Sequence, residues 1–308
     1  MESVTVAIVG GGQAGLATSR ELAKAGLEHV VLERGRVGET WRSRWDSFCL
    51  VTPNWSVQLP DGHYAGPEPD GFMPRDEFVA YLERYAAQSQ VPIHEHVAVE
   101  SVESLPGDGF VLRTSAGDIH TNAVVIATGA YQRPHRPAAA RTLPTELAQI
   151  DLDDYRNEQA LPPGKVLIIG SGQSPDLDQN VAWGDERYLQ FRGLLDNLVS
   201  TRGLQPPALD DPEPFTSSAP NSIDPADIGS VIFAAGFRPD YRSWLPWPDA
   251  FDTWGFPLTQ DGASTVVPGL YFVGVHFLRK RKSSLLTGVG EDAAIVVRQI
   301  TKAYSVSR

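Results

Sequence analysis

The residues whose types and spacing could do chemistry stand at the start of the chain. Gly10-x-Gly12-x-x-Gly15 follows the apolar run Val4–Val9 and opens an amphipathic stretch from Leu16 to Ala25. Val30-Val31-Leu32 is a second β-rich run, and it closes on Glu33. Each part has a task in holding a dinucleotide. Gly10 permits a tight turn, Gly12 lets the backbone approach a pyrophosphate, and Gly15 lets helix and strand pack closely. The helix start offers unpaired N–H groups and partial positive charge to phosphates. Glu33 can accept from both ribose hydroxyls and would repel a 2′-phosphate, which favours FAD or NAD over NADP at this turn. In a chain with 28 glycines the motif alone is weak; the strand before it, the helix after it and the acid beyond make it specific.

The elements that must position this turn follow from hydrophobic periodicity. Asp76 to Ala87 reads as a helix, with Phe78, Val79, Leu82 and Tyr85 at helical spacing. Val97–Val102 and Phe110–Leu112 alternate like hairpin strands, and Ala123–Ala127 is a buried strand ending in Thr128-Gly129. Val166–Ile169, Val231–Ala235 and Leu270–Val273 read as further strands, Tyr188 to Val199 and Glu291 to Ile300 as helices. Residues 36–72 are irregular, and the prolines of 205–225 mark an extended linker. Strands alternating with helices give an α/β fold with a parallel sheet and crossovers.

Composition narrows the classes. The 308 residues suit two domains, or one large one with an insertion. A net charge of −12 speaks against a nucleic-acid partner. No stretch approaches the ~20 apolar residues that a transmembrane helix needs, and the start of the chain lacks the basic segment of a signal peptide. The one cysteine, Cys49, excludes an internal disulfide and a CxxC pair. These features predict a cytoplasmic protein.

Six segments together resemble the class B flavoprotein monooxygenases and their bacterial flavin-containing monooxygenase-like relatives. They are the fingerprint Ile8 to Gly15; the run Gly38-Glu39-Thr40-Trp41-Arg42-Ser43-Arg44-Trp45-Asp46; Val124 to Gly129; Val231 to Phe237; Pro268 to Gly274; and Arg281 to Ala293. The resemblance covers residues 1–135 and about 226–302. It implies a Rossmann-like, three-layer FAD-binding domain of the type with two dinucleotide-binding domains, formed here by 1–145 and 226–308, with bound FAD. By the same likeness Gly10, Gly12, Gly15 and Glu33 hold the ADP half, Thr40, Trp41 and Trp45 flank the flavin, and the Val97 backbone meets adenine. Gly274 and the Leu285–Leu286 turn sit by the ribityl and pyrimidine end. Further cofactor contacts are expected at Gln13, Ala14, Arg34, Ala127, Thr128 and Gly129.

The chain departs from that pattern where relatives build their NADPH domain. Lys165 to Ile169 and Gly170-Ser171-Gly172 begin it, but the third glycine position is Pro175, which lacks an N–H, and Asp176 follows. Where relatives have a histidine before this domain, Asp151 stands. Residues 146–225 therefore read as a severely reduced second domain, one helix and a linker, and an NADPH site is doubtful. The expectation is an FAD-dependent oxidoreductase acting on a small organic substrate, reduced by that substrate or by a separate reductase. The alternatives are a conventional NAD(P)H-dependent flavin monooxygenase and a non-redox flavin-binding scaffold or partner subunit.

His276 is a candidate proton donor beside the flavin, and Arg281, within Arg279-Lys280-Arg281-Lys282, a candidate anion binder. His94-x-His96 has the spacing of a metal pair but no third ligand nearby, so no metal site is expected. Trp244, Trp247 and Trp254 pack core or line a pocket. No Gly-x-Ser-x-Gly elbow or phosphate-loop motif is present.

Overall fold

Val4-Thr5-Val6-Ala7-Ile8-Val9 is rich in β-branched residues with no charge, the composition of a strand covered on both faces. In the computed structural model this run lies in an interior strand of the main sheet. The structure describes residues 2–106, 109–170, 177–203 and 223–306. In chain order the elements are β1 (Glu2–Val9), α1 (Gln13–Lys24), β2 (His29–Leu32), α2 (Glu39–Arg42), β3 (Gln58–Leu59), β4 (Gly62–His63), α3 (Arg75–Gln88), β5 (Ile93–His94), β6 (Val99–Ser104), β7 (Phe110–Thr114) and β8 (Gly117–Ile126). They continue as β9 (Arg133–Pro134), β10 (Ala148–Asp151), β11 (Lys165–Ile169), α4 (Leu177–Thr201), β12 (Ile228–Phe233), β13 (Phe237–Arg238), β14 (Thr259–Gln260), β15 (Ala263–Ser264), β16 (Leu270–Phe272) and α5 (Val289–Val306).

The chain divides into two compact units. The first comprises Met1–Pro134, Asp153–Ala160 and Phe237–Arg308. Its sheet runs β14-β15-β16-β8-β1-β2-β5, with β6 and β7 attached through β8. The pairs of β1 with β2 and β8, of β16 with β8 and of β2 with β5 are parallel. Side chains alternate across a strand. Val6 and Ile8 face a core shared with Leu16 and Leu22 of α1, Phe78 and Leu82 of α3, and Val296 and Ile300 of α5. Ala7 and Val9 face the opposite core, with Phe110 and Leu112 of β7 and Tyr241, Leu245 and Phe251. This is a three-layer α/β arrangement.

The second unit comprises His135–Leu152 and Leu161–Gly236. It holds the parallel sheet β10-β12-β11 and helix α4. Sequence periodicity read less here. It gave one helix, Tyr188 to Val199, whereas α4 spans Leu177–Thr201. It missed β10, a strand of four half-buried residues whose apolar–polar alternation, Ala148-Gln149-Ile150-Asp151, is too short to stand out. It assigned Val231–Ala235 to the flavin domain as a crossover, whereas Ile228–Phe233 bonds to β10 and β11. A strand's own residues do not say which neighbour it pairs with. Gly172, Pro175, Asp176 and residues 204–222 of the linker lie outside the described residues.

Candidate functional site

Parallel strands end on one edge, and in open α/β sheets that carboxyl edge is where ligands bind, at the point where strand order reverses. Here β1 is that point, with β2 on one side and β8 on the other. Glu33 follows β2, Gly10 follows β1, Ala127-Thr128-Gly129 follows β8, and Gly274 stands two residues after β16. Four stretches far apart in sequence thus share one edge.

At its centre the backbone is fixed by close approach. Gly10 has φ +111, and a Cβ there would lie 2.7 Å from the Ala127 carbonyl oxygen. A Cβ on Gly15 would lie 1.9 Å from the Gly10 carbonyl oxygen. Gly12 differs: a Cβ there meets nothing within 4 Å. It is the N-cap of α1 and supplies no side-chain cap to the first-turn N–H groups. Beside it the buried Glu33 carboxylate accepts from the Gly11 N–H at 2.6 Å and the Gly35 N–H at 2.8 Å. Each oxygen keeps a lone pair for a further donor. The Val97 N–H donates to the Glu33 carbonyl at 2.9 Å, which brings the residues after β5 to this corner. Arg34 is exposed.

The other side of the edge is held by residues that the sequence reading did not single out. Gln132 donates through Nε2 to Thr128 Oγ1 at 2.9 Å and to the Gly129 carbonyl at 2.6 Å. The buried Tyr241 hydroxyl donates to the same carbonyl at 2.7 Å, and burial pushes the Tyr241 pKa up. Gly129 itself has φ +69 with open space where a side chain would stand. Gly274, at φ +80, abuts α1: a Cβ there would lie 2.6 Å from the Ala14 Cβ. Gln13 completes the closure, accepting from the Trp41 indole N–H at 2.9 Å and donating to the Ser284 carbonyl at 3.5 Å.

The aromatic residues of the Gly38–Asp46 run turn partly inward. Trp41 packs edge-on to Phe78 at 4.8 Å and Trp45 edge-on to Phe48 at 5.0 Å, while Thr40 is exposed. Leu286 is buried in the core and Leu285 half-exposed, its carbonyl accepting from Gly288 and Val289 at the start of α5. The basic run is largely neutralised. Arg279 bonds Asp261 and the buried Asp292, each at 2.9 Å, and Lys280 and Lys282 both pair with Glu291. Arg281 is exposed. β5 ends at His94, and His96 takes φ +59, so the two histidines do not share a strand face. Among the described residues no group of three metal-ligating side chains is found. Trp247 packs edge-on to Phe110, Trp244 borders the core, and Trp254 is exposed beneath the Arg238 guanidinium. Asp151 is engaged within the second unit, by Arg136 at 2.7 and 3.0 Å.

His276, two residues past Gly274, shares a hydrogen bond of 2.6 Å between Nδ1 and Ser284 Oγ. Burial pushes its pKa below the ordinary histidine value, so the ring is neutral at pH 7 and can take up a proton. Tyr131 stands edge-on to it at 4.7 Å and to Phe237 at 5.2 Å. The Arg44 guanidinium lies over Phe237 at 5.5 Å and Tyr131 at 6.0 Å. Burial pushes the Arg44 pKa down, against the pull of Asp153.

These residues fit the dinucleotide part of a flavin cofactor. The cradle over Gly12 is open, the helix start is uncapped, and an acid stands at the end of β2. Comparison with known proteins agrees. The family described as pyridine nucleotide-disulphide oxidoreductase matches residues 7–175. A protein of Geobacillus kaustophilus named as an uncharacterized CzcO-like oxidoreductase is 30% identical over 345 positions, spanning 96% of this chain and 98% of its own length. The CzcO oxidoreductase of Bacillus subtilis is 26% identical over 95% of this chain and 98% of its own length. The solved flavin-containing monooxygenase of Stenotrophomonas maltophilia superposes with a TM-score of 0.74 at 25% identity, over 99% of this chain and all of that one. Among the described residues no helix is long and apolar enough to cross a membrane. With a strand edge shaped for a dinucleotide and likeness along its whole length, the chain belongs to the pyridine nucleotide-disulphide oxidoreductase family, among its flavin-monooxygenase-like oxidoreductases.

Proposed function

We propose that this protein is an FAD-dependent oxidoreductase for a small organic substrate, and that it draws electrons from that substrate or from a separate reductase rather than from NADPH bound by its own second unit. The observation that carries the flavin reading is the open space over Gly12 beside the Glu33 carboxylate, with Gly274 closed against Ala14. The α1 N–H groups bind the phosphates, Glu33 takes the ribose hydroxyls, and the Gln13 bridge from Trp41 to Ser284 fixes the turn against the loop before α5. FAD, when bound, supplies acceptance of a hydride or of single electrons, which no side chain can provide. His276 moves the accompanying proton through Nδ1 and Ser284 Oγ.

The reading of the electron source is supported by the size of the second unit. Its described residues form three strands and one long helix. The alignment with the Geobacillus relative runs over 345 positions, at least 37 more than this chain has residues. The lone cysteine favours the cytoplasm as its compartment.

The test is the visible spectrum of the purified protein. Flavin absorption, as isolated or after addition of FAD, is expected; a colourless protein that takes up no FAD overturns the reading. Millimolar NADPH added anaerobically is expected to leave the flavin band in place over seconds, and fast saturable bleaching would overturn the proposed electron source.

A further inference from the structure

We infer that Arg44 anchors the substrate, and that the substrate is a small organic anion, a carboxylate on a flat apolar body that lies along Tyr131 toward His276. The inference starts from a mismatch of burial and pairing. The Arg44 side chain is 13% exposed, and a guanidinium brings five N–H donors. Among the described residues its one side-chain acceptor is Asp153 Oδ1, 3.5 Å from Nη1. Arginine–carboxylate contacts that form fully lie at about 2.7–2.9 Å and are often two-pronged.

Arg75, 17% exposed, shows what the same neighbourhood does for a structural arginine. It reaches Asp76 at 2.7 Å, Asp46 at 3.1 Å and the Arg44 carbonyl at 2.8 Å. Arg113, far more exposed, takes Glu103 with two prongs at 3.2 and 3.0 Å and also reaches Asp118. A cation taken out of water and left short of acceptors is costly. Such a group persists where a ligand completes it.

The surroundings define that ligand. Phe237 and Tyr131 wall the guanidinium with ring faces, and Tyr131 is half exposed, so a flat body can reach it. Tyr131 also stands edge-on to His276, which carries the hydrogen bond to Ser284. A molecule whose carboxylate meets Arg44 therefore presents its other end to the group that moves the proton. Its place beside the reaction rests on the flavin reading; the binding of an anion does not. Among the described residues Asp153 is the carboxylate that reaches Arg44, at Nη1.

The experiment uses the flavin-loaded protein and isothermal calorimetry, with flavin content read separately from absorbance. Benzoate is the probe and benzyl alcohol its neutral counterpart. Benzoate is expected to bind about tenfold or more tightly than benzyl alcohol, since charge-assisted pairing is the stronger kind. Arg44→Gln is expected to weaken benzoate by a similar factor, Arg44→Lys to recover part of it, and Asp153→Asn to tighten it. Circular dichroism and the melting temperature show that each variant is folded; should Arg44→Gln fail to fold, Arg44→Lys and Asp153→Asn carry the comparison. The inference is overturned if benzoate does not bind, binds no better than benzyl alcohol, or is indifferent to these substitutions. Loss of the flavin spectrum with benzoate binding intact would strike the flavin reading alone.

Discussion

In the first unit β1 sends Val6 and Ile8 into one core and Ala7 and Val9 into another, and all four are buried. In the second unit β11 sends Leu167 and Ile169 against Val231 and Phe233, while Val166 and Ile168 on its other face are exposed. Leu189, Leu194 and Leu198 of α4 are exposed as well. Parallel sheets are ordinarily covered on both sides. In sequence β1 and β11 each carry an apolar run followed by glycines; around β1 the turn is held by the Ala127 backbone and by Glu33. Gly274, against Ala14, and Tyr241, bonded to the Gly129 carbonyl, close the strand edge beside that turn.

The largest effect that would sharpen this contrast is on stability. Leu22→Ala, in the fully buried face of α1, is expected to cost about 2–5 kcal/mol, whereas Leu194→Ala on α4 is expected to stay within about 0.5 kcal/mol. Denaturant unfolding measures both; equal losses would show that the exposed α4 face is packed in solution.

The second comparison lies inside the glycine turn. Gly15→Ala forces a methyl onto the Gly10 carbonyl oxygen and is expected to cost about 3 kcal/mol. Gly12→Ala places its methyl in open space and is expected to cost less than about 1 kcal/mol, mostly through N-cap preference. It should nevertheless shed flavin, because the methyl occupies the approach of the pyrophosphate. Melting temperature and flavin absorbance, measured on the same samples, separate the two outcomes. Full flavin retention by Gly12→Ala would break the assignment of this cradle.

The smallest effect is a pH dependence. His29 donates from Nδ1 to the Leu27 carbonyl and accepts at Nε2 from the buried Ser19 hydroxyl, and burial lowers its pKa. The unfolded chain therefore binds the proton more readily. The stability that the neutral ring contributes is complete above its ordinary pKa of about 6.5 and declines as pH falls through that value. His29→Gln is expected to flatten the loss of stability between pH 7 and pH 5. An unchanged slope would remove His29 from the account.

Legibility in the sequence followed range. β1, the glycine turn, α1, β2 and Glu33 form one local unit whose periodicities and spacing announce themselves, and Leu270–Val273 was readable as a buried strand. β10 was not, since Ala148-Gln149-Ile150-Asp151 is short and half-buried. The partners of β12 were not, because pairing is decided by distant chain. Arg44 sat in view within Trp41-Arg42-Ser43-Arg44-Trp45, but its burial without a close carboxylate is a tertiary property. Tyr241 was silent for the same reason, its bond to Gly129 spanning 112 residues, and Gln132 because its local bonds to Thr128 and Gly129 belong to an irregular turn without periodicity.

The path of the chain carries one more consequence, for biogenesis. β8 emerges with Ile126, and the strand that pairs with it in parallel, β16, arrives only at Leu270, after the whole second unit has been made. Until then one side of β8 near Val124–Ile126 is an open edge, the kind that recruits stray strands. Closing a loop of that length is slow, though its entropic cost grows only with the logarithm of length. The side of the glycine turn closed by Gly274 and Ser284 is therefore the last to be made, and a ribosome-stalled or truncated chain ending before residue 270 carries the glycine turn without the wall that closes it.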